Sequence, residues 1–480
     1  MTLSEIQVAF RGEVAGAAEL TWSQVSIWRQ ARRTGRTMNL VVVMPVPEDT
    51  TVQEMTAVLR FMIGRHPALR TRMRFSGEQP DEAYPQQVVS ASGELPLQIL
   101  DIDDGDDPDL VAERLRSRYE LTWFDYEHEF PVRLGMVRQA GVMVRMVAGY
   151  SHMAADGAGL EALGRDLVTR FDRSALAATA PPRVLDPLEL ARSQGGPAGQ
   201  RQTAKSLRYW AAQLGRLPDW RAQEPAEPPE PRYAELVAYS PAMELCLRAI
   251  AARTKVASNY VLIAAYAVAV ARVMDRNPSA VQLVVSNRFR PGFEDTVAQV
   301  SQDAICVVDA ADATFDEVVG RAWSTATNSS LNAYYDPREC DRLLAETERR
   351  LGRPLDVAWH LNDRRAMAGP LEIESPLPEA QLKAALDDAL SHTRIFWDRR
   401  CPSFEGTLFI QVDSAPDATA PDRAELDEGL PAVYLAIWTD MHHFAADRVE
   451  AFVRAMEAVL VEAAFDAKVP TGVQRPAVAA

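Results

Sequence analysis

Two short runs of this chain place a histidine and an aspartate close enough together to do proton chemistry. The first is Ser151-His152-Met153-Ala154-Ala155-Asp156-Gly157, in which His152 and Asp156 stand four residues apart and are followed by a glycine. A neutral imidazole with an unperturbed pKa near ~6.5 can accept a proton from an attacking amine or hydroxyl at working pH. The second run, Met441-His442-His443-Phe444-Ala445-Ala446-Asp447-Arg448, repeats the spacing but has arginine in place of the glycine. Asp447 reads there as a helix-start residue, since an acidic side chain in a first turn is favoured by the exposed N–H groups. His442 and His443 then belong to a partly solvated turn.

The elements around the two runs separate them. Val142 to Tyr150 is apolar except for Arg145 and predicts a strand buried on both faces. Leu160, Leu163, Leu167 and Phe171 then recur at helical spacing, so His152 and Asp156 fall in a strand-to-helix loop, where α/β proteins place reactive groups. Two decoys share this stretch. Gly157-Ala158-Gly159 fits the start of a dinucleotide fingerprint, but a polar turn separates it from the strand and proline-rich chain follows. Gly149-Tyr150-Ser151 is followed by His152-Met153 rather than by x-Gly, so the nucleophile elbow is absent.

The 480 residues, 47% hydrophobic and 25% charged, suffice for two cores. The boundaries expected are an N-terminal lobe over 1–175, a Pro/Gly-rich crossing over 176–232 that includes Pro181 and Pro182 and a short helix with Tyr209 and Trp210, and a C-terminal lobe over 233–480 ending in a loose tail from Lys468. In the second half the sequence predicts a helix over Val261 to Val273, strands at Val281 to Val285, Thr407 to Val412 and Val433 to Trp438, and a closing helix through Leu460. A net charge of −16 argues against nucleic acid. No apolar stretch approaches a membrane span and no secretory signal opens the chain. Four scattered cysteines suggest neither disulfides nor zinc, so a reducing cytoplasm and no metal are expected.

Taken in order, several segments resemble the condensation domains of nonribosomal peptide synthetases, relatives of chloramphenicol-acetyltransferase-like acyltransferases. They are Leu20-Thr21-Trp22-Ser23-Gln24 with Trp28, Arg65-His66-Pro67-Ala68-Leu69-Arg70-Thr71, the His152 loop, Tyr209-Trp210, Asn287-Arg288-Phe289-Arg290-Pro291 with Val297 to Asp309, and Asp356 to Asn362. The resemblance implies an α/β fold of two chloramphenicol-acetyltransferase-like lobes, a V-shaped pseudo-dimer with a tunnel between them. It implies a free-standing monomeric enzyme that joins an acyl or aminoacyl group, tethered to the phosphopantetheine of a carrier protein acting in trans, to a small amine or alcohol, with no bound cofactor of its own. His152 would be catalytic. Asp156 would hold the loop through an ion pair; its expected partner is Arg70, because Leu69, Thr71, Met73 and Phe75 alternate with Arg70, Arg72 and Arg74 as on a strand with two different faces, and Arg65 is the fallback, while the Gly157 N–H would orient the reacting groups. Ser151, Ser301, Gln302 and Asn362 are the tunnel or acceptor-side candidates. Ser151 departs from the family's first histidine, Gln302 and Asp303 from its Asn-Thr, and Val307 from an arginine. An acyltransferase using acyl-coenzyme A and a catalytically silent carrier-docking module are the alternatives.

Overall fold

A computed structural model of the chain describes residues 1–47, 49–75, 84–171, 185–222, 224, 225, 227–365, 371, 373, 377–415 and 430–475. They form two compact α/β units. The first holds Met1–Thr203, Ser286–Gln302 and Tyr335–Pro337, and the second Ala204–Val285, Asp303–Tyr334 and Arg338–Ala480. The segment Ser286–Gln302, expected in a C-terminal block, therefore counts with the first unit. Pro181 and Pro182 lie outside the described residues.

The first unit contains β1 (Thr2–Arg11), β2 (Gly16–Glu19), β3 (Asn39–Pro45), β4 (Thr71–Arg74), β5 (Gln86–Val89), β6 (Ser92–Ile102), β7 (Val132–Gln139) and β8 (Val142–Ser151). A five-stranded sheet runs β1-β6-β7-β8-β3, and β2-β5-β4 form a small second sheet. The helices are α1 (Trp22–Thr34), α2 (Val52–Arg65), α3 (Pro108–Leu121), α4 (Gly157–Phe171), α5 (Pro187–Gly195) and the first part of α6 (Pro197–Leu214). The long apolar run of β8 is explained by cover on both sides. Met146, Ala148 and Tyr150 pack with α2 and α4, while Val147 packs with Val111, Ala112 and Leu115 of α3.

The second unit takes the rest of α6, an 18-residue helix rather than a short one. It adds α7 (Pro241–Thr254), α8 (Ser258–Met274), α9 (Phe315–Leu331), α10 (Pro337–Leu351), α11 (Glu379–Ser391) and α12 (Ala446–Phe465). Its sheet comprises β9 (Tyr233–Ser240), β10 (Ser279–Val285), β11 (Gln302–Val308), β12 (Trp359–Asp363), β13 (Arg394–Cys401), β14 (Leu408–Asp413) and β15 (Val433–Asp440), in the order β11-β10-β12-β14-β15-β9-β13. Helix α8 is buried continuously from Val261 to Ala271, as its unbroken apolar composition requires. Among the described residues no single helix is long and apolar enough to cross a membrane.

The tail expected to be loose from Lys468 is corrected over 469–473, and residues 476–480 lie outside the described residues. Phe315 N donates to Val469 O at 2.8 Å, Thr471 N to Ala313 O at 2.9 Å and Asp312 N to Val473 O at 2.9 Å. Backbone pairing thus fixes 469–473 along the entry to α9, a pattern that composition does not reveal.

Candidate active site

The site is built on the turn between β8 and α4, with each loop residue held separately. Ser151 closes the strand: it is fully buried, its Oγ accepts from Met153 N at 3.2 Å, and it shares a hydrogen bond with the Tyr126 hydroxyl at 3.0 Å. This serine is a wall of the turn. Met153 is buried with Leu20, Val25, Trp28 and Met73, and Gln24 Nε2 donates to its carbonyl at 3.3 Å. The opening motif therefore grips the loop from α1, where Thr21 and Gln24 form a reciprocal capping box.

Asp156 is the hub of the loop and is buried at 3% exposure. Its Oδ1 accepts from Gly159 N at 2.8 Å and lies 2.7 Å from Arg288 Nη2. Its Oδ2 accepts from Arg288 Nη1 at 3.0 Å, Val300 N at 3.1 Å, Ser301 N at 3.0 Å and Ser301 Oγ at 2.7 Å. Burial alone would raise its pKa, but the Arg288 charge and these hydrogen bonds hold it below the ordinary carboxylate value. The carboxylate has no lone pair to spare for a substrate. It also caps α4, since Gly159 is the third residue of that helix.

Two expectations about this aspartate are corrected. Arg70 is not its partner: it ends a 3-10 turn at Pro67–Arg70 instead of lying in the strand, and its guanidinium donates to the carbonyls of Val14 and Ser90 while packing over Gly12. Any Cβ at Gly12 would fall 2.3 Å from Arg70 Cζ, so that glycine makes room for the arginine. Arg65, the fallback, binds Asp166 at 2.8 Å together with His66 Nε2 at 2.8 Å. The Arg65-His66 pair thus clamps α4 about three turns further along the helix. Ser301, placed on the acceptor side by the sequence, is instead part of the Asp156 clamp. Gln302 is buried, and its Nε2 donates to Tyr335 O at 2.9 Å. Asn362 lies in β12 of the second unit, opposite Gln411 in the ladder.

His152 differs from its neighbours in having little holding it. The ring is half-buried, and Nδ1 makes no well-formed hydrogen bond among the described residues. Burial pushes its pKa below 6.5, against the charge of Asp156 and backbone groups of His152 and Ala155. A neutral imidazole is the outcome at neutral pH, which is the form a general base needs. Gly157 opens α4 next to it and is half-buried. The glycine that the packing demands is Gly159, where a Cβ would sit 3.1 Å from Ala298 O, 3.2 Å from Arg288 Nη2 and 3.2 Å from Asp156 Oδ1. In the sequence Gly159 reads as part of a dinucleotide decoy; its place three residues after Asp156, where α4 begins, is the signal that could have found it.

The second histidine pair is occupied differently. His443 Nδ1 lies 3.2 Å from Asp440, which also binds Arg232 at 2.6 Å, and His442 Nε2 lies 3.2 Å from Glu230. Asp440 raises the His443 pKa, against burial. Asp447 stands in the first turn of α12, as its helix-start reading requires.

The family model described as "Condensation domain" matches residues 14–355. The chain belongs to the condensation-domain family. Condensation-domain relatives among curated proteins include the nonribosomal peptide synthetase kk1B of Curvularia clavata, 25% identical over 293 residues, covering 58% of this chain and 2% of that protein. Another is the isonitrile lipopeptide synthase of Mycobacterium tuberculosis, 26% identical over 324 residues, covering 64% of this chain and 12% of that protein. The chain thus spans a small fraction of these relatives. Among solved structures, the X-domain from teicoplanin biosynthesis matches with a TM-score of 0.68 at 17% identity, over 97% of this chain and 99% of that one. The condensation domain of the Monacolin K polyketide synthase MokA matches with a TM-score of 0.67 at 15% identity, over 96% and 100%. These likenesses establish the condensation-domain fold, with its mixed α/β construction in two lobes.

Proposed function

We propose that this condensation domain transfers an acyl group from a carrier-bound thioester to an amine or hydroxyl acceptor, forming an amide or an ester. His152 takes the proton of the attacking N–H or O–H as the new bond to the thioester carbonyl forms. The tetrahedral adduct then collapses, the C–S bond breaks, and the proton passes to the departing thiolate. The observation that carries this reading is the division of labour in the loop: Asp156 is consumed by six loop-holding contacts, whereas the half-buried His152 ring is held neutral by burial and its Nδ1 makes no hydrogen bond among the described residues. A purely structural histidine would be expected to share in the network around it.

Incubating candidate acyl-carrier proteins with this domain and a panel of amines and alcohols, and following the carrier by intact mass, tests the reading. Loss of the acyl mass with product formation, abolished by His152→Ala, is the expected result. Transfer of equal rate from acyl-coenzyme A would replace the carrier by a soluble donor.

A second reading is favoured by the likeness to the teicoplanin X-domain, which has been solved in a complex with OxyB. In that reading the domain recruits another enzyme and transfers nothing. Unchanged acyl-carrier mass with every acceptor, in the presence of tight binding to a partner enzyme, is the outcome that selects it.

A further inference from the structure

Beside the His152 loop, within the first unit, a cavity of about 60 Å³ lies between α4 and the sheet face of β3, β7 and β8. Apart from Tyr150, every residue that lines it offers only carbon, sulfur or backbone. Space of this size would admit several waters, yet a wall so apolar leaves them without partners. Lining atoms with no neighbour on one side forgo dispersion contacts that an apolar occupant would supply.

Its orientation follows from the elements. Leu160 and Leu167 mark its two ends along α4, about 10 Å apart at the helical rise of about 1.5 Å per residue. The Leu160 end adjoins the catalytic loop, since Leu160 N bonds Asp156 O at 3.0 Å. Tyr150, on the floor at that end, precedes His152 by two residues. The other end is lined by Met44 and Met146, which are paired across β3 and β8. With Met62, these give a wall of flexible side chains that adapts to the length of an occupant.

Gly164 supplies an independent observation. Glycine inside a helix is unfavourable relative to alanine, so a mid-helix glycine calls for a reason. Here it lines the cavity, and a Cβ built on it would meet nothing within 4 Å. It is not there to let another element approach. Its effect is to leave the wall of the cavity open.

We propose that this cavity holds the alkyl tail of the acyl donor, so that the domain accepts a medium-chain fatty acyl thioester whose carbonyl lies at His152 and whose tail runs along α4. The proposal rests on the acyl-transfer reading of His152. An aminoacyl donor is disfavoured in this space, because its ammonium would find a single hydroxyl and no carboxylate. Each buried methylene strengthens binding by about fourfold. Octanoyl over butanoyl, four methylenes apart, then amounts to at most about 250-fold when all four are fully buried.

The test uses octanoyl- and butanoyl-N-acetylcysteamine as small donor thioesters. Binding is measured by calorimetry on the His152→Ala protein, where no turnover consumes them, and the kcat/KM ratio is measured on the active protein. The expected result is preference for octanoyl by one to two orders of magnitude, reduced in Gly164→Ala and collapsed in Gly164→Leu, whose side chain fills the cavity. Equal binding of the two donors overturns the proposal, and so does octanoyl binding that is indifferent to Gly164→Leu. Chain-length-dependent binding, lost in Gly164→Leu, supports it even if no donor is turned over; that last failure would count against the acyl-transfer reading alone.

Discussion

Removing Arg288 tests the architecture of the site most directly. In the folded chain its side chain is 12% exposed, and that of Asp156 is 4% exposed, with two guanidinium–carboxylate contacts of 2.7 and 3.0 Å. Arg288→Ala deletes both contacts and the bonds from Nη2 to Thr296 O and Ala298 O, stranding a buried carboxylate with only its neutral donors. Breaking a buried pair at one partner costs about 3–5 kcal/mol. At roughly 2–4 °C per kcal/mol for a unit of this size, the expected fall in melting temperature is about 6–20 °C. The assay is a double-mutant cycle with Asp156→Ala, read by urea unfolding. The expected coupling is above about 1 kcal/mol, in the range of interacting neighbours. Arg70→Ala is the control: it should destabilise by itself, since it abandons the Val14 and Ser90 carbonyls, but add to Asp156→Ala without coupling. A parent-like melt for Arg288→Ala, or coupling to Asp156 at Arg70 instead of Arg288, would refute the clamp. Were Asp156→Asn to melt like the parent and lose all turnover, its role would be chemical.

His152→Ala should lower acyl transfer by about 10²–10⁴-fold with little change in melting, because general-base help has that magnitude and the ring fills no sealed core. His443→Ala should turn over nearly normally; a dead His443→Ala beside an active His152→Ala would assign the base to His443. The acid limb of the kcat/KM profile should fall below pH 6.5, since burial lowers the His152 pKa and the neutral form persists to lower pH; an acid limb above 6.5 would contradict this. Asp156, whose folded pKa is depressed, should contribute stability that is fully present above about pH 4 and lost as pH falls through its folded pKa. Urea titrations of parent and Asp156→Asn at descending pH should therefore converge. Gly159→Ala should lower both stability and turnover more than Gly105→Ala, whose Cβ would meet nothing within 4 Å.

Local patterns in the sequence were sufficient for the elements that carry the loop. The apolar run of β8 and the helical spacing of α4 each reflect packing that a single segment records, so the loop and its histidine could be placed. The partner of Asp156 could not be. Arg288 lies 132 positions away, on a segment that leaves β10 of the second unit and counts with the first, and no periodicity links it to Asp156. Arg70 was chosen because alternation over 69–75 suggested a strand through it. Pro67 turns the chain there into a 3-10 turn, which redirects the side chain toward Gly12. Ser301 illustrates the same limit, since its hydroxyl points at Asp156 for a reason visible only once residues 286–302 are seen beside α4.

The two strand-to-helix histidines show that the same motif spacing leaves an imidazole in two different electrostatic settings. Both follow a buried strand and precede a long helix, β8 to α4 and β15 to α12, so the flanking elements, expected to separate the two runs, do not. They differ in where the nearby carboxylate is spent. Asp440 sits within 3.2 Å of His443 and raises its pKa, so that histidine is tied into an ion pair and favours its protonated form. Asp156 has its charge met by Arg288 and its lone pairs filled by backbone and Ser301, so it exerts a weaker pull on His152 than burial does, and the imidazole stays neutral. On the acyl-transfer reading proposed above, burial keeps the imidazole neutral against the pull of Asp156, and Arg288 would bear on the chemistry through the aspartate, by meeting its charge and holding it in the loop.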